Sequence, residues 1–130
     1  MDENSISRIV IGAAISVHSE LGPGLLESSY QESLCYELTE RGLYVEKEKP
    51  MPLVFKSIHL ECGYRVDLLV VNKLVIEVKA VEKTSEVHLA QVLTYLRLSD
   101  CRLGLLLNFH VARMKEGIRR VVNGLKDTPF

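Results

Sequence analysis

Ile6, Ile9, Val10, Ala13, Ala14, Val17 and Leu21 recur at three- and four-residue steps. That spacing predicts an amphipathic helix, with Asn4 or Ser5 as its N-cap and Gly22 closing it. After the helix-breaking Gly22-Pro23-Gly24, Leu25, Leu26, Leu34 and Leu38 begin a second stripe, which predicts a helix from about Leu25 to Arg41 with Gly42 as its C-cap. Glu27 shares the face of Tyr30, Gln31, Leu34 and Leu38. This helix therefore turns a carboxylate toward the protein, and a buried carboxylate needs a partner.

The middle of the chain changes period. "MPLVFKSIHLE" reads as two short strands around Lys56-Ser57, with Pro50 and Pro52 marking a sheet edge or the start of a strand. "YRVDLLVV" and "KLVIEVKA" are apolar on both faces, as central strands covered on two sides would be. "SEVHLAQVLTYLRLS" returns to helical spacing through Val87, Ala90/Gln91, Thr94/Tyr95 and Leu98. "LGLLLNF" is a further buried strand. "ARMKEGIRRVVNGL" reads as a last helix turning Met114, Ile118, Val121/Val122 and Leu125 inward, and the tail "KDTPF" reads as loosely held. The order predicts an α/β (α+β) chain folded as one domain over 1–130. Its mixed central sheet has four to five strands, mostly antiparallel and extended by a helix–strand crossover, with helices on both faces.

Composition narrows the class. At 130 residues the chain can bury one proper core. A net charge of -1 supplies no general positive field for nucleic acid, so any such contact must come from a local patch. Cys35, Cys62 and Cys101 form no C-x-x-C pair and are odd in number, which argues for free thiols in a reducing compartment. The acidic start "MDENSISRIV" is unlike a secretory signal, and no apolar run approaches the roughly 20 residues that span a bilayer. The expected location is the cytoplasm, without membrane association.

Candidate chemistry lies in the apolar strands. Asp67 interrupts "VDLLVV", and Glu77 and Lys79, two apart, project from one face of "VIEVKA". Asp67 and Glu77 meet if the reversal near Asn72 has odd length, as in Val71-Asn72-Lys73, or if one residue is bulged, and the odd loop is the expectation. A two-residue turn at Asn72-Lys73 would send them to opposite faces. Two converging carboxylates, helped by the Val78 carbonyl, offer hard oxygen ligands for Mg2+ or Mn2+. An adjacent ammonium, that of Lys79, can orient water or stabilise charge on a phosphoryl oxygen. This is equipment for phosphodiester hydrolysis, with Glu27 as a further ligand or outer acceptor. On the following helix His88, Gln91 and Tyr95 share a face and can look at the same site, while His18 flanks its entrance. Each has a plainer reading too: Glu77–Lys79 as a surface pair, Glu27 as a helix-dipole partner, Tyr95 as core, and the histidines as packed side chains. Cations at Lys47, Lys49, Lys56, Lys83, Arg97, Arg113, Arg119 and Arg120 are explained equally well as solvated faces.

Gly24, Glu27 and Tyr30 in "GLLESSY", Asp67 in "YRVDLLV", and Glu77 and Lys79 in "VIEVKA" together resemble the GxxExxY protein family of the PD-(D/E)XK nuclease superfamily. "VHLAQVLTYLRL" and "LGLLLNF" look like its later segments, so the resemblance runs from about Ile6 to Val122. It implies a restriction-endonuclease-like core and Mg2+-dependent (or Mn2+-dependent) cleavage of nucleic acid. It also implies Asp67 and Glu77 as ligands and Lys79 as catalytic. Where the superfamily has proline before the aspartate, this chain has Val66, a position that shapes backbone rather than ligating. The reading is a metal-dependent nuclease acting on DNA in preference to RNA, as a homodimer or with a protein partner. Catalytic roles fall to Lys79, Glu77, Asp67, Gln91 and Tyr95, and metal ligation to Asp67, Glu77, Val78 and Glu27. The rival reading is a catalytically silent nucleic-acid- or protein-binding module on the same fold.

Overall fold

The computed structural model describes residues 1–125; the tail "KDTPF" lies outside them. Helix α1 spans Glu3–Leu21 and α2 spans Glu27–Glu40. Strand β1 (Val45–Pro50) and the short β2 (Leu53–Phe55) and β3 (Ile58–Leu60) precede β4 (Arg65–Val70) and β5 (Leu74–Lys79). Helix α3 (Glu86–Ser99), β6 (Leu103–Asn108), a 3-10 turn at Met114–Gly117 and β7 (Ile118–Val122) complete the order. The main sheet runs β1-β4-β5-β6-β7, and β2 and β3 form a separate hairpin. Among the described strands only β5 and β6 are parallel, joined by the crossover through α3. The fold is α+β with a mixed central sheet, as the sequence pattern predicted, and is consistent with the restriction-endonuclease-like core that the resemblance implies.

Burial follows the period of each element. Leu68, Val70, Leu74, Ile76 and Val78 face Ile6, Val10, Ala13, Leu34 and Leu38 of α1 and α2. On the opposite side Val66, Leu69, Val75 and Leu106 pack on Val92, Tyr95 and Leu96 of α3. Strand β6 is buried at every position, as its unbroken apolar run requires. No helix among the described residues is long and apolar enough to cross a membrane.

The largest departure from the sequence pattern is the last element. Instead of a helix over "ARMKEGIRRVVNGL", the chain makes one 3-10 turn and then β7, pairing Ile118 with Leu107 and Val122 with Leu103. Without β7, the outer edge of fully buried β6 would carry unpaired N–H and C=O groups, and that cost outweighs a helical stripe containing Ile118, Val121 and Val122. Gly117 makes the turn feasible: a Cβ there would stand 2.0 Å from the Asn108 carbonyl oxygen. A polar strand was also missed, because the "VEKEKP" of β1 has no apolar alternation and owes its place to pairing with β4.

Smaller corrections concern helix ends. Asp2, not Asn4 or Ser5, caps α1, its carboxylate accepting the Ser5 N–H at 2.8 Å. Helix α2 starts only at Glu27, so Leu25 and Leu26 stand exposed before it rather than on its buried stripe.

Candidate active site

The reversal between β4 and β5 is the three-residue loop Val71-Asn72-Lys73, with Leu68 opposite Ile76 and Val70 opposite Leu74. This odd count brings Asp67 and Glu77 together where regular pairing of β4 and β5 ends. Two crossed hydrogen bonds replace the next rungs: the Val78 N–H donates to Asp67 Oδ2 at 2.8 Å, and the Asp67 N–H donates to Glu77 Oε1 at 3.2 Å. The Val78 carbonyl shares that edge of β5, since N–H and C=O of one strand residue point the same way. Asp67 Oδ1 and Glu77 Oε2 accept no hydrogen bond among the described residues.

Electrostatically the pair is frustrated. Burial first, and the neighbouring Asp67 charge second, push Glu77 up to about 8, against a partial opposing pull from the Asp67 N–H and Lys79. Asp67 is likewise raised by burial, offset in part by its bond from Val78 and by Lys79, while Glu27 and Glu48 push it further up. Lys79 is half-buried and acts on both acids through its charge, without an ion pair inside 4.0 Å among the described residues. A cation between the acids would relieve this repulsion, and each carboxylate keeps an oxygen to offer, so the donor set fits a hard divalent ion.

Glu27 begins α2 in solvent, yet its charge still raises both acids. Among the described residues no three His, Cys, Asp or Glu side chains form a ligand cluster, so Glu27 stands beside the pair rather than in contact with it. The placement of its helix has a clear cause. The Tyr30 hydroxyl donates to the Gly22 carbonyl at 2.5 Å and accepts the Leu25 N–H at 3.1 Å, pinning the loop before α2. Gly24 has φ of 101°, open to glycine and strained for any other residue. Tyr30 also stacks on Phe109 at 4.6 Å, and the Phe109 N–H donates to the Lys79 carbonyl at 2.9 Å. One packed chain thus links the Glu27 loop to Lys79.

From the other face, Tyr95 is buried, and Gln91 Nε2 donates to its hydroxyl at 3.1 Å. Burial first and then the Glu77 charge raise the Tyr95 pKa, which puts this phenol within electrostatic reach of the acids. His88 is drawn away: its Nδ1 accepts the Ser85 N–H while Ser85 Oγ accepts the His88 N–H, making a cap for α3. His18 Nε2 lies 2.8 Å from the Val111 carbonyl oxygen, tying α1 to the segment after β6.

Two site residues escaped sequence reasoning. Asn108, ending β6, is buried; its side chain accepts the Val81 and His110 N–H groups and donates to the Val81 carbonyl. It fixes the strand exit beyond Lys79, and its one signal is being the polar residue that ends an apolar run. Glu48 lies where β1 passes Asp67, between the pairs Lys47–Leu68 and Lys49–Val66, with φ of 52°. There β4 loses strict alternation, since Val66 and Leu69 pack on the same side. A left-handed backbone at a non-glycine residue costs energy and concentrates at functional sites. No sequence pattern announces it.

A sequence model described as the PD-(D/E)XK nuclease superfamily matches residues 4–121. No curated protein matches the chain. No solved structure does either.

Proposed function

The chain belongs to the PD-(D/E)XK nuclease superfamily, and from that premise we propose that it is a divalent-metal-dependent nuclease whose centre is Asp67, Glu77 and Lys79. The observation that carries the reading is the crossed pair of hydrogen bonds that turns two raised carboxylates toward one point in an apolar sheet. Asp67, Glu77 and the Val78 carbonyl would hold Mg2+ or Mn2+, with Glu27 as an outer acceptor. Such an ion, when bound, supplies Lewis-acid stabilisation of the phosphate and acidifies water. Lys79 orients the attacking water and offsets charge growing on a phosphoryl oxygen. The Gln91–Tyr95 pair presents donors to the phosphate from α3, and Tyr95, whose ionisation is disfavoured, keeps its proton for that purpose. Asn108 is a positioning residue, holding the chain on which Lys79 sits.

The substrate is nucleic acid, DNA in preference to RNA, and the unbridged Cys35, Cys62 and Cys101 accord with action in the cytoplasm. The test is incubation of supercoiled DNA, single-stranded DNA and RNA with the protein in Mg2+, Mn2+ or EDTA, beside Asp67→Ala and Lys79→Ala. Metal-dependent cleavage lost in both variants supports the enzyme. Binding without cleavage of any substrate supports the silent module instead.

A further inference from the structure

A second feature lies on the α1 side of the sheet, between α1 and the segment that follows β6. A cleft of about 510 Å³ is lined by His18, Ser19, Gly22, Pro23, Arg113 and Lys115, among others, and none of its lining residues is acidic. Among the described residues neither Arg113 nor Lys115 forms an ion pair. The nearby Glu116 carboxylate accepts the Arg113 backbone N–H at 3.2 Å and does not line the cleft. In a chain of net charge -1, two cations without an ion pair among the described residues meet at one concave spot.

The cleft is built, not incidental. His18, 8% exposed, anchors one wall to the other through Val111. With Nε2 donating to that carbonyl, its Nδ1 is left as a further polar atom of the ring. The Gly22-Pro23 wall is fixed by the Tyr30 hydroxyl, and Tyr30 stacks on Phe109, which is bonded to Lys79. The same loop that borders the cleft at Gly22 carries Glu27 toward Asp67. The segment after β6 leaves Lys79 at Phe109 and returns as Arg113 and Lys115. The cleft is thus tied, through Tyr30 and Phe109, to the backbone of Lys79.

We propose that this cleft is an anchoring subsite for a backbone phosphate of the nucleic-acid strand, a phosphate other than the one cleaved, held by Arg113 and Lys115 beside Ser19. It rests on the nuclease reading for the identity of the strand. Arginine and lysine are the side chains that take phosphate, and the volume suits a sugar–phosphate unit. The subsite explains how a chain without a general positive field could hold a polyanion at one register relative to Lys79.

The test is fluorescence anisotropy of a short labelled DNA duplex and of its single strand, in EDTA over a range of salt, so that cleavage plays no part. Against the wild type stand R113A/K115A, R113K/K115R, and K73A at the far β4–β5 turn as a control. The double alanine variant should bind about tenfold more weakly near 0.1 M salt, with the slope of log K against log salt reduced by about 1 to 2. R113K/K115R should restore most of both, and K73A should match the wild type. Wild-type binding that the double alanine variant retains at full strength and slope overturns the subsite and leaves the nuclease reading intact. A wild type that binds neither probe at low salt overturns both. Circular dichroism of each variant checks the fold, and charge reversal in R113E/K115E, which should abolish binding, keeps the test decisive if the alanine effect is small.

Discussion

Replacing Glu77 by glutamine separates charge from shape at the acid pair. The carboxyl rises from 4.5 to about 8, and its residue is only 4% exposed. Between those values the folded chain holds a proton that the unfolded chain has released, so stability falls as pH rises through the window. At about 1.4 kcal/mol per unit the ceiling is near 5 kcal/mol. Sharing of the proton with Asp67 and local relaxation bring the expected loss to about 1–3 kcal/mol. Glutamine keeps an oxygen for the Asp67 N–H and adds an amide donor toward Asp67, without the pH-dependent term. Urea unfolding in EDTA at pH 5, 6, 7 and 8 should show the wild type losing stability relative to Glu77→Gln, the two converging near pH 5 and diverging by about 1–3 kcal/mol at pH 8. Added Mg2+ or Mn2+, binding the folded state, should raise the wild-type curve at pH 8 and do little for the variant. Parallel pH curves for the two proteins would refute the burial argument for Glu77.

Lys79→Ala should lower cleavage by about 10²–10³-fold while leaving the urea midpoint near the wild-type value, because the ammonium makes no close ion pair among the described residues; turnover and unfolding on the same preparation check this. Asn108→Ala strands the half-buried N–H and C=O of Val81, and a loss of about 1–2 kcal/mol is expected from urea unfolding, together with reduced cleavage. Gly117→Ala sets a methyl against the Asn108 carbonyl and should cost about 3 kcal/mol or more, read as a lowered thermal midpoint. Tyr30→Phe removes both hydroxyl bonds to the loop before α2 at a cost of about 1–3 kcal/mol, and its activity loss should exceed that of Glu27→Gln if loop placement matters beyond the carboxylate itself.

The elements easiest to read from sequence were those whose burial pattern has one explanation. Asp67, Glu77 and Lys79 were visible because charges are expensive inside strands such as "VDLLVV" and "VIEVKA", and parity then fixed the loop. Strand β7 was hidden because Ile118, Val121 and Val122 satisfy a helical stripe as well as a β ladder, and only the open edge of β6 decides between them. The role of Glu27 was half legible: its helix and face could be read, but its stand-off from the acids depends on where Tyr30 pins the loop. His88 had the right spacing for the site, yet the local competition for the Ser85 N–H won. Glu48 and Asn108 act through backbone conformation and tertiary bonds, which leave no periodic mark.

The Val71-Asn72-Lys73 loop sits about four residues, roughly 13 Å of strand, from the acids whose meeting it governs. Val71 and Asn72 both adopt left-handed backbone there, φ of 53° and 56°, although neither is glycine. Its composition is limited to residues that tolerate that backbone, and its arithmetic is stricter still. Lineages descended from this chain can exchange those identities within that limit, but a lone codon gained or lost in that stretch would turn one carboxylate over to the α1 side. Viable length changes there should come in pairs, a rule to look for when descendants and cousins are gathered.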